Sequence, residues 1–131
     1  MNTRVFGKTG VRASEMALGC WQLGGTEGVN GDDKTAFDIL SAAVDTGVNF
    51  FDTADVYGDG RSESLIGDYL ADNPTLEVFV ATKMGRRVDQ EPANYTMANF
   101  RAWTDRSRRN LRMDTLALVQ LHCPPTAVYS L

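Results

Sequence analysis

The sequence predicts an α/β fold that is built on a parallel sheet. Four short apolar segments alternate with three segments whose apolar residues recur at the helical spacing, and a β-hairpin precedes them all. Strands and helices that alternate in this way form parallel sheets joined by right-handed crossovers. The pattern is typical of a doubly wound sheet or of part of a (β/α) barrel, and both carry their functional side chains at the C-terminal ends of the strands.

Length and charge bound the class of protein. The chain has 131 residues, of which 43% are hydrophobic, and this predicts one domain over residues 1–131 that can bury a core. The formal net charge of -4 argues against a nucleic-acid partner. The arginines between positions 101 and 112 are instead expected to lie on a solvated helix face.

The sequence shows no signal for a metal site or for export. Cys20 and Cys123 lie far apart, and no Cys-x-x-Cys or histidine-rich spacing indicates metal ligands. The N-terminus lacks the apolar core of a signal peptide, and no apolar run reaches the length of a membrane span. We therefore expect a cytoplasmic protein without a metal or a membrane partner, in which both cysteines are ordinary small residues.

The chain begins with a hairpin and a first strand. Residues 3–6 and 11–14 flank a Gly-Lys-Thr-Gly segment and predict a small hairpin. Residues 16–20 are mostly apolar and predict a strand. The loop 21–25 that follows contains two glycines, which allow the backbone to approach a ligand closely.

Each predicted helix combines an apolar period of 3.6 residues with an end signal. Asp32 or Asp33 caps the first helix, which stops at residues 45–47. The second helix spans residues 62–72 and ends before a proline. The third helix spans residues 96–112, and its weaker buried stripe consists of Phe100, Trp103, Ser107 and Leu111.

Titratable side chains occur at the ends of the three later strands. The strands are predicted over residues 49–51, 78–83 and 116–121, and their ends carry Asp52, Lys83 and His122. Tyr57 lies in the loop after Asp52, and the following Gly-Asp-Gly can turn the phenol back over the strand end. We expect these four residues to share one rim of the sheet.

These four side chains form a coherent set for the reduction of a carbonyl group. A phenol is a weak acid, so Tyr57 needs a nearby cation to stabilise the phenolate that remains after proton transfer, and Lys83 can supply that charge. Asp52 can hold the lysine charged and oriented, while neutral His122 can hydrogen-bond a carbonyl oxygen. Protonation of that oxygen requires a hydride at the carbonyl carbon.

Each residue also has a plainer interpretation. An aspartate after a strand often caps a turn, and a lysine at a strand end often simply lies in solvent. A lone histidine is often a core residue whose hydrogen bonds are satisfied within the protein. A Rossmann domain needs Gly-x-Gly-x-x-Gly after its first strand, and residues 19–24 lack that spacing. A barrel glycosidase could pair Asp52 with Asp55, but it would not explain Lys83 and His122 at the next two strand ends.

The motifs around these residues carry a resemblance to a known family. The segments 51–57, 81–83 and 120–122 read FDTADVY, ATK and QLH, and they resemble the aldo-keto reductase family. The opening hairpin, residues 18–25 (LGCWQLGG) and residues 60–63 (GRSE) match that family in the same order. The resemblance covers the whole chain, through the fourth barrel strand.

The resemblance implies a (β/α)8 barrel of the TIM type, of which this chain provides the N-terminal hairpin and about four β/α units. In a full-length context it implies reduction of a small aldehyde or ketone with NADPH, or with NADH. It assigns Asp52, Tyr57, Lys83 and His122 as the catalytic set, with Tyr57 as proton donor. It also places Cys20, Trp21 and Asp52 beside the nicotinamide and its ribose.

The length departs from the family pattern. The chain stops after the fourth strand, at roughly half of the ~250 residues that are typical of such a barrel. A truncated chain would keep the catalytic rim and lose most cofactor contacts. The alternative function is therefore a non-catalytic half-barrel, an assembly or scaffold module without tight cofactor binding. We expect its exposed strand edges to favour either a homodimer that joins two half-barrels or aggregation.

Overall fold

The computed structural model describes residues 1–25 and 31–130. Its elements, in chain order, are β1 Thr3–Val5, β2 Arg12–Ser14, β3 Leu18–Gly19, α1 Asp33–Asp45, β4 Phe50–Asp52, α2 Arg61–Asp72, β5 Phe79–Met84, α3 Met97–Leu111 and β6 Leu118–Leu121. Short 3-10 helices follow β3 at Trp21–Gly24 and precede α2 at Tyr57–Gly60. The predicted order of hairpin, strands and helices is confirmed.

The strands form two sheets. β1 and β2 pair antiparallel, whereas β3, β4, β5 and β6 form a parallel sheet in that order. The spatial order equals the chain order, and a doubly wound sheet would reverse it at a switch point. The register sets Asp52 opposite Ala81 and Lys83 opposite Gln120, so the strand ends meet at one edge.

The core lies between this sheet and the helices. Phe51 from β4 and Leu40, Ile66 and Leu111 from the three helices are all buried and belong to one hydrophobic cluster. Burial of side chains of this size stabilises the fold by roughly 1.5–3 kcal/mol each. A second cluster consists of Tyr95, Trp103 and Val128. It packs against Met84, at the C-terminal end of β5, and against Leu121. The helices therefore fix the sheet that carries the strand-end residues.

Helices α1 and α3 begin at side-chain caps, whereas α2 begins at Gly60, which makes no side-chain cap bond. Asp32 caps α1 by accepting a hydrogen bond from the Thr35 amide at 2.8 Å, which decides between the two predicted caps. Thr96 caps α3 in the same way through the Asn99 amide, at 3.2 Å. In the described part of the chain, no helix is long and apolar enough to cross a membrane.

Several predicted boundaries differ from the structure. The first parallel strand is Leu18–Gly19 rather than 16–20, because Met16 points into solvent and its carbonyl accepts a bond from Ser14 instead of joining the ladder. The last strand likewise begins at residue 118 instead of 116. Strand β4 spans Phe50–Asp52 rather than the predicted 49–51, so Asp52 is the last residue of the strand itself.

Candidate active site at the C-terminal edge of the sheet

An ion pair joins the ends of two neighbouring strands. The Lys83 Nζ atom donates to the Asp52 carboxylate and, at 2.8 Å, to the Thr53 carbonyl. The lysine side chain is 16% exposed and the aspartate side chain 38%, so the pair is partly shielded from water. The structure thus brings Asp52 and Lys83 together as predicted, with the ammonium held between a carboxylate and a backbone oxygen.

Tyr57 and His122 complete this group. The Lys83 Nζ atom lies 5.4 Å from the centroid of the Tyr57 ring, within the range of a cation–π contact. The Tyr57 and His122 rings meet edge to face, with centroids 5.9 Å apart and an interplanar angle of 88°. All four predicted residues therefore lie in one continuous chain of contacts, from Asp52 through Lys83 and Tyr57 to His122.

His122 is buried directly beyond β6. Its backbone amide donates to the Met84 carbonyl at 2.9 Å, which extends the ladder between β5 and β6 by one residue. Burial lowers the pKa of the imidazole, the charges of Arg86 and Lys83 lower it further, and Asp52 opposes them. The imidazole is therefore neutral at pH 7, and its buried Nδ1 atom has no hydrogen-bond partner.

A strained turn holds Tyr57 in place. Gly58, Asp59 and Gly60 have φ values of 61°, 54° and 98°, all in the left-handed region. A Cβ atom added at Gly58 would lie 2.2 Å from the Gly24 carbonyl oxygen, because the two 3-10 helices touch backbone to backbone. Only glycine permits this approach, which explains two of the glycines that the sequence places around the site.

The predicted cofactor-binding residues differ in their exposure. Trp21 is 64% exposed, so its indole is available to a ligand. Cys20 is fully buried, its amide donates to the Asp52 carbonyl at 2.8 Å and its carbonyl accepts from Ser62 at 2.8 Å. Burial and the Asp52 charge raise the pKa of the Cys20 thiol to about 12, so this side chain stays uncharged. Cys20 supports the strand end, and a direct cofactor contact for it stays a prediction.

A buried polar layer lies behind the rim, and the sequence did not reveal it. Glu63 on α2 is fully buried, where it accepts from Thr82 at 2.6 Å and from Asn110 at 2.9 Å. Asp55 is also buried, and burial together with the charge of Glu63 raises its pKa to about 6. The GRSE motif contains Glu63, but neither periodicity nor spacing predicts that it is buried.

Within residues 1–25 and 31–130, no three His, Cys, Asp or Glu side chains lie close enough together to hold a metal ion. Asp52 and Glu63 instead bind cations or hydrogen-bond donors of the chain itself. Asp52 pairs with Lys83, and Glu63 accepts two neutral donors. The chemistry that this arrangement supports is proton transfer by the phenol, with one cation beside it and a neutral imidazole against it.

The aldo/keto reductase family model matches residues 15–131. Aldo-keto reductase YhdN of Bacillus subtilis is 32% identical over 123 residues, which cover 92% of this chain and 37% of that protein. The holo form of aldo-keto reductase AKR11C1 from Bacillus halodurans superposes with a TM-score of 0.78 at 31% identity, over 93% of this chain and 40% of that one. Glycerol dehydrogenase AKR11B4 from Gluconobacter oxydans superposes with a TM-score of 0.74 at 36% identity, over 95% and 40% of the two chains.

In all three matches the chain covers less than half of the relative. The chain spans about two fifths of the length of each relative. The predicted fold, a (β/α) barrel of which these residues form the N-terminal hairpin and the first β/α units, is confirmed. The predicted family is confirmed as well.

Proposed function

Because the chain belongs to the aldo/keto reductase family, we propose that it provides the proton-transfer site for NADPH-dependent reduction of a small aldehyde or ketone to an alcohol. The observation that carries the proposal is the contact chain in which Lys83 lies between the Asp52 carboxylate and the Tyr57 ring. The free thiols of Cys20 and Cys123 suit a reducing cytoplasm, which we include in the proposal.

The exposed residues of the rim fit a nicotinamide cofactor. The indole of Trp21 offers a broad apolar surface, and the partly exposed Asp52 carboxylate can accept hydrogen bonds from ribose hydroxyls. When bound, NADPH or NADH would supply the hydride that the carbonyl carbon receives.

Tyr57 is the proton donor in this proposal. As the carbonyl carbon gains a hydride, the carbonyl oxygen takes the proton of the Tyr57 hydroxyl, and the products are an alcohol and a phenolate. The Lys83 ammonium, 5.4 Å from the ring centroid, stabilises that negative charge. Asp52 keeps the ammonium in place by accepting a hydrogen bond from Lys83 Nζ.

His122 orients the substrate. Since its Nδ1 atom is buried without a partner, we assign the imidazole proton to Nε2, which can donate to the carbonyl oxygen. Its edge-to-face contact fixes the imidazole relative to the phenol. Two donors can therefore converge on one oxygen, and such fixed donors lower the barrier because they need no reorganisation.

The substitution Tyr57→Phe tests the proton-donor assignment, since it removes one hydroxyl and keeps the ring. General acid catalysis contributes about 10²- to 10⁴-fold, so turnover of every accepted aldehyde should fall by that factor. Tyr129→Phe is the matched control, because Tyr129 is exposed and lies outside the site. Wild-type turnover in Tyr57→Phe would contradict the assignment.

A second candidate function follows from the edges of the sheet. In the described part of the chain, β3 pairs only with β4, and β6 pairs only with β5. Unpaired strand edges favour association with another chain. The alternative is therefore an assembly module in which two copies join their sheets, and tight NADPH binding would argue against it.

A further inference from the structure

Asp59 occupies an unfavourable backbone position two residues after Tyr57. Its φ of 54° lies in the left-handed region, as do those of its neighbours Gly58 and Gly60. A residue with a Cβ atom adopts this conformation at a cost in free energy, and it persists where surrounding contacts hold it. A third glycine would suit this turn better on backbone grounds alone, so the carboxylate calls for its own explanation.

Two arginines from different elements hold that carboxylate. Arg87, which follows β5, donates to Asp59 Oδ1 through Nε at 2.7 Å and lies 2.6 Å from it through Nη2. Arg106, on α3, reaches the same oxygen at 3.1 Å. The Arg106 guanidinium also donates to the Asp59 carbonyl at 2.5 Å and to the Asp55 carbonyl at 3.4 Å. One guanidinium thus contacts the loop on both sides of Tyr57.

The opposite side of the loop is also fixed. Gly58 packs against the backbone of Gly24, and a Cβ atom at Gly60 would lie 2.6 Å from Asn110 and 3.2 Å from the Arg106 guanidinium. The turn is therefore held between the Trp21–Gly24 helix on one side and α3 on the other. Tyr57 is the side chain that this turn presents to Lys83 and His122.

We propose that Asp59, Arg87 and Arg106 form a positioning clamp that sets the Tyr57 ring against His122 and beside the Lys83 ammonium. The catalytic consequence of the clamp rests on the function proposed above. The Asp59 side chain is 74% exposed, and ion pairs this exposed contribute little to global stability. The clamp therefore acts on the local geometry of the loop.

The substitution Asp59→Gly distinguishes a purely structural role of Asp59 from its proposed role in positioning Tyr57. Glycine accepts the left-handed backbone more readily than aspartate, so a purely structural role predicts unchanged or higher stability and unchanged turnover. The clamp predicts the same stability with a kcat that falls about 10- to 100-fold, because a small displacement of a catalytic group costs that much. KM should change little. Asp59→Asn keeps an acceptor oxygen, so its kcat should fall less than that of Asp59→Gly.

An NMR measurement follows the position of Tyr57 without any need for activity. His122 is the single histidine of the sequence, so its ring protons give unique signals in tag-free protein. The Tyr57 ring signals are assigned by their loss in Tyr57→Phe. The edge-to-face contact predicts a nuclear Overhauser effect between the two rings, and Asp59→Gly should abolish it. Asp38→Ala, which removes the exposed pair with Lys34, should leave it unchanged.

The outcomes are distinguishable. A retained Tyr57–His122 effect in Asp59→Gly overturns the clamp, whatever the activity. Loss of the effect with wild-type kcat overturns the link between the clamp and catalysis. If Tyr57→Phe keeps full turnover while Asp59→Gly loses the effect, the proposed function fails and the clamp stands.

Discussion

Asp55→Asn should make the protein more stable, and the gain should depend on pH. Asp55 is 1% exposed, its Oδ1 atom has no hydrogen-bond partner, and Glu63 lies close enough to repel its charge. Arg87 and Arg106 offset part of this cost, and the pKa of Asp55 still rises from 3.8 to about 6. An asparagine keeps the shape of the side chain and carries no charge to bury.

The magnitude follows from linkage. One unit of pKa difference between folded and unfolded states corresponds to about 1.4 kcal/mol, so a rise from 3.8 to about 6 corresponds to up to about 3 kcal/mol. Well below pH 3.8 the carboxyl is protonated in both states, and its burial then carries no charge penalty. Between pH 4 and pH 6 the folded state binds more protons than the unfolded state, so stability falls as pH rises. The cost is fully present above the folded pKa.

Chemical denaturation at several pH values between 4 and 8, followed by circular dichroism, measures this effect. The difference in free energy of unfolding between Asp55→Asn and wild type should increase with pH across the range from 4 to 6 and then level off. Asp38→Asn provides a control at an exposed carboxylate on α1. A difference that stays constant with pH, or one that decreases, would refute the burial argument for Asp55.

Two further predictions concern Lys83 and the sheet edges. Lys83→Met removes the charge beside Tyr57 and leaves Asp52 unpaired, so single-turnover hydride transfer should slow more than NADPH affinity weakens. Weaker NADPH binding with an unchanged single-turnover rate would instead assign Lys83 to cofactor binding rather than to proton transfer. Among the described residues, β3 and β6 each leave one edge unpaired, which predicts a homodimer or aggregation, and a monomeric mass by light scattering would contradict it.

The grouping of the candidate site residues could be predicted from the sequence, because the C-terminal ends of parallel strands lie at the same edge of a sheet. Asp52 ends β4 and Lys83 is the penultimate residue of β5, so the parallel ladder between these strands brings both residues to the same edge. The loop glycines then restrict where Tyr57 can point. His122 follows from the same rule on β6, whose pairing with β5 continues through the His122 amide.

The contacts of Arg106 could not be predicted in this way. Helical periodicity places Arg106 outside the apolar stripe of α3, and the sequence therefore predicts a solvated arginine. That prediction is wrong for this residue, whose guanidinium bonds to the loop carbonyls of residues 55 and 59. The contact depends on how α3 docks beside α2, and it joins residues 47 positions apart. Arg101, Arg109 and Arg112 are exposed as predicted.

Glu63 illustrates the same limit in the core. A fully buried carboxylate is costly unless donors satisfy it, and here Thr82 on β5 and Asn110 on α3 do so from opposite sides. Each donor is an ordinary polar residue in the sequence. Only the packing of α2 against its neighbours shows that the three belong together, whereas the apolar stripes of the helices can be recognised from spacing alone.

Asp59 and the buried Asp55 both interact with Arg87 and Arg106, but the pKa values of the two carboxyl groups shift in opposite directions. Arg87 and Arg106 hold the pKa of Asp59 below its usual value, whereas burial raises that of Asp55 to about 6. At pH 5 Asp55 is therefore mostly protonated while Asp59 still carries its charge. Protonation of Asp55 removes a competing anion from the surroundings of Arg106, and the bonds from Arg106 to Asp59 are retained. We therefore expect the loop that carries Tyr57 to keep its ion pairs at pH 5, where Asp55 is mostly protonated.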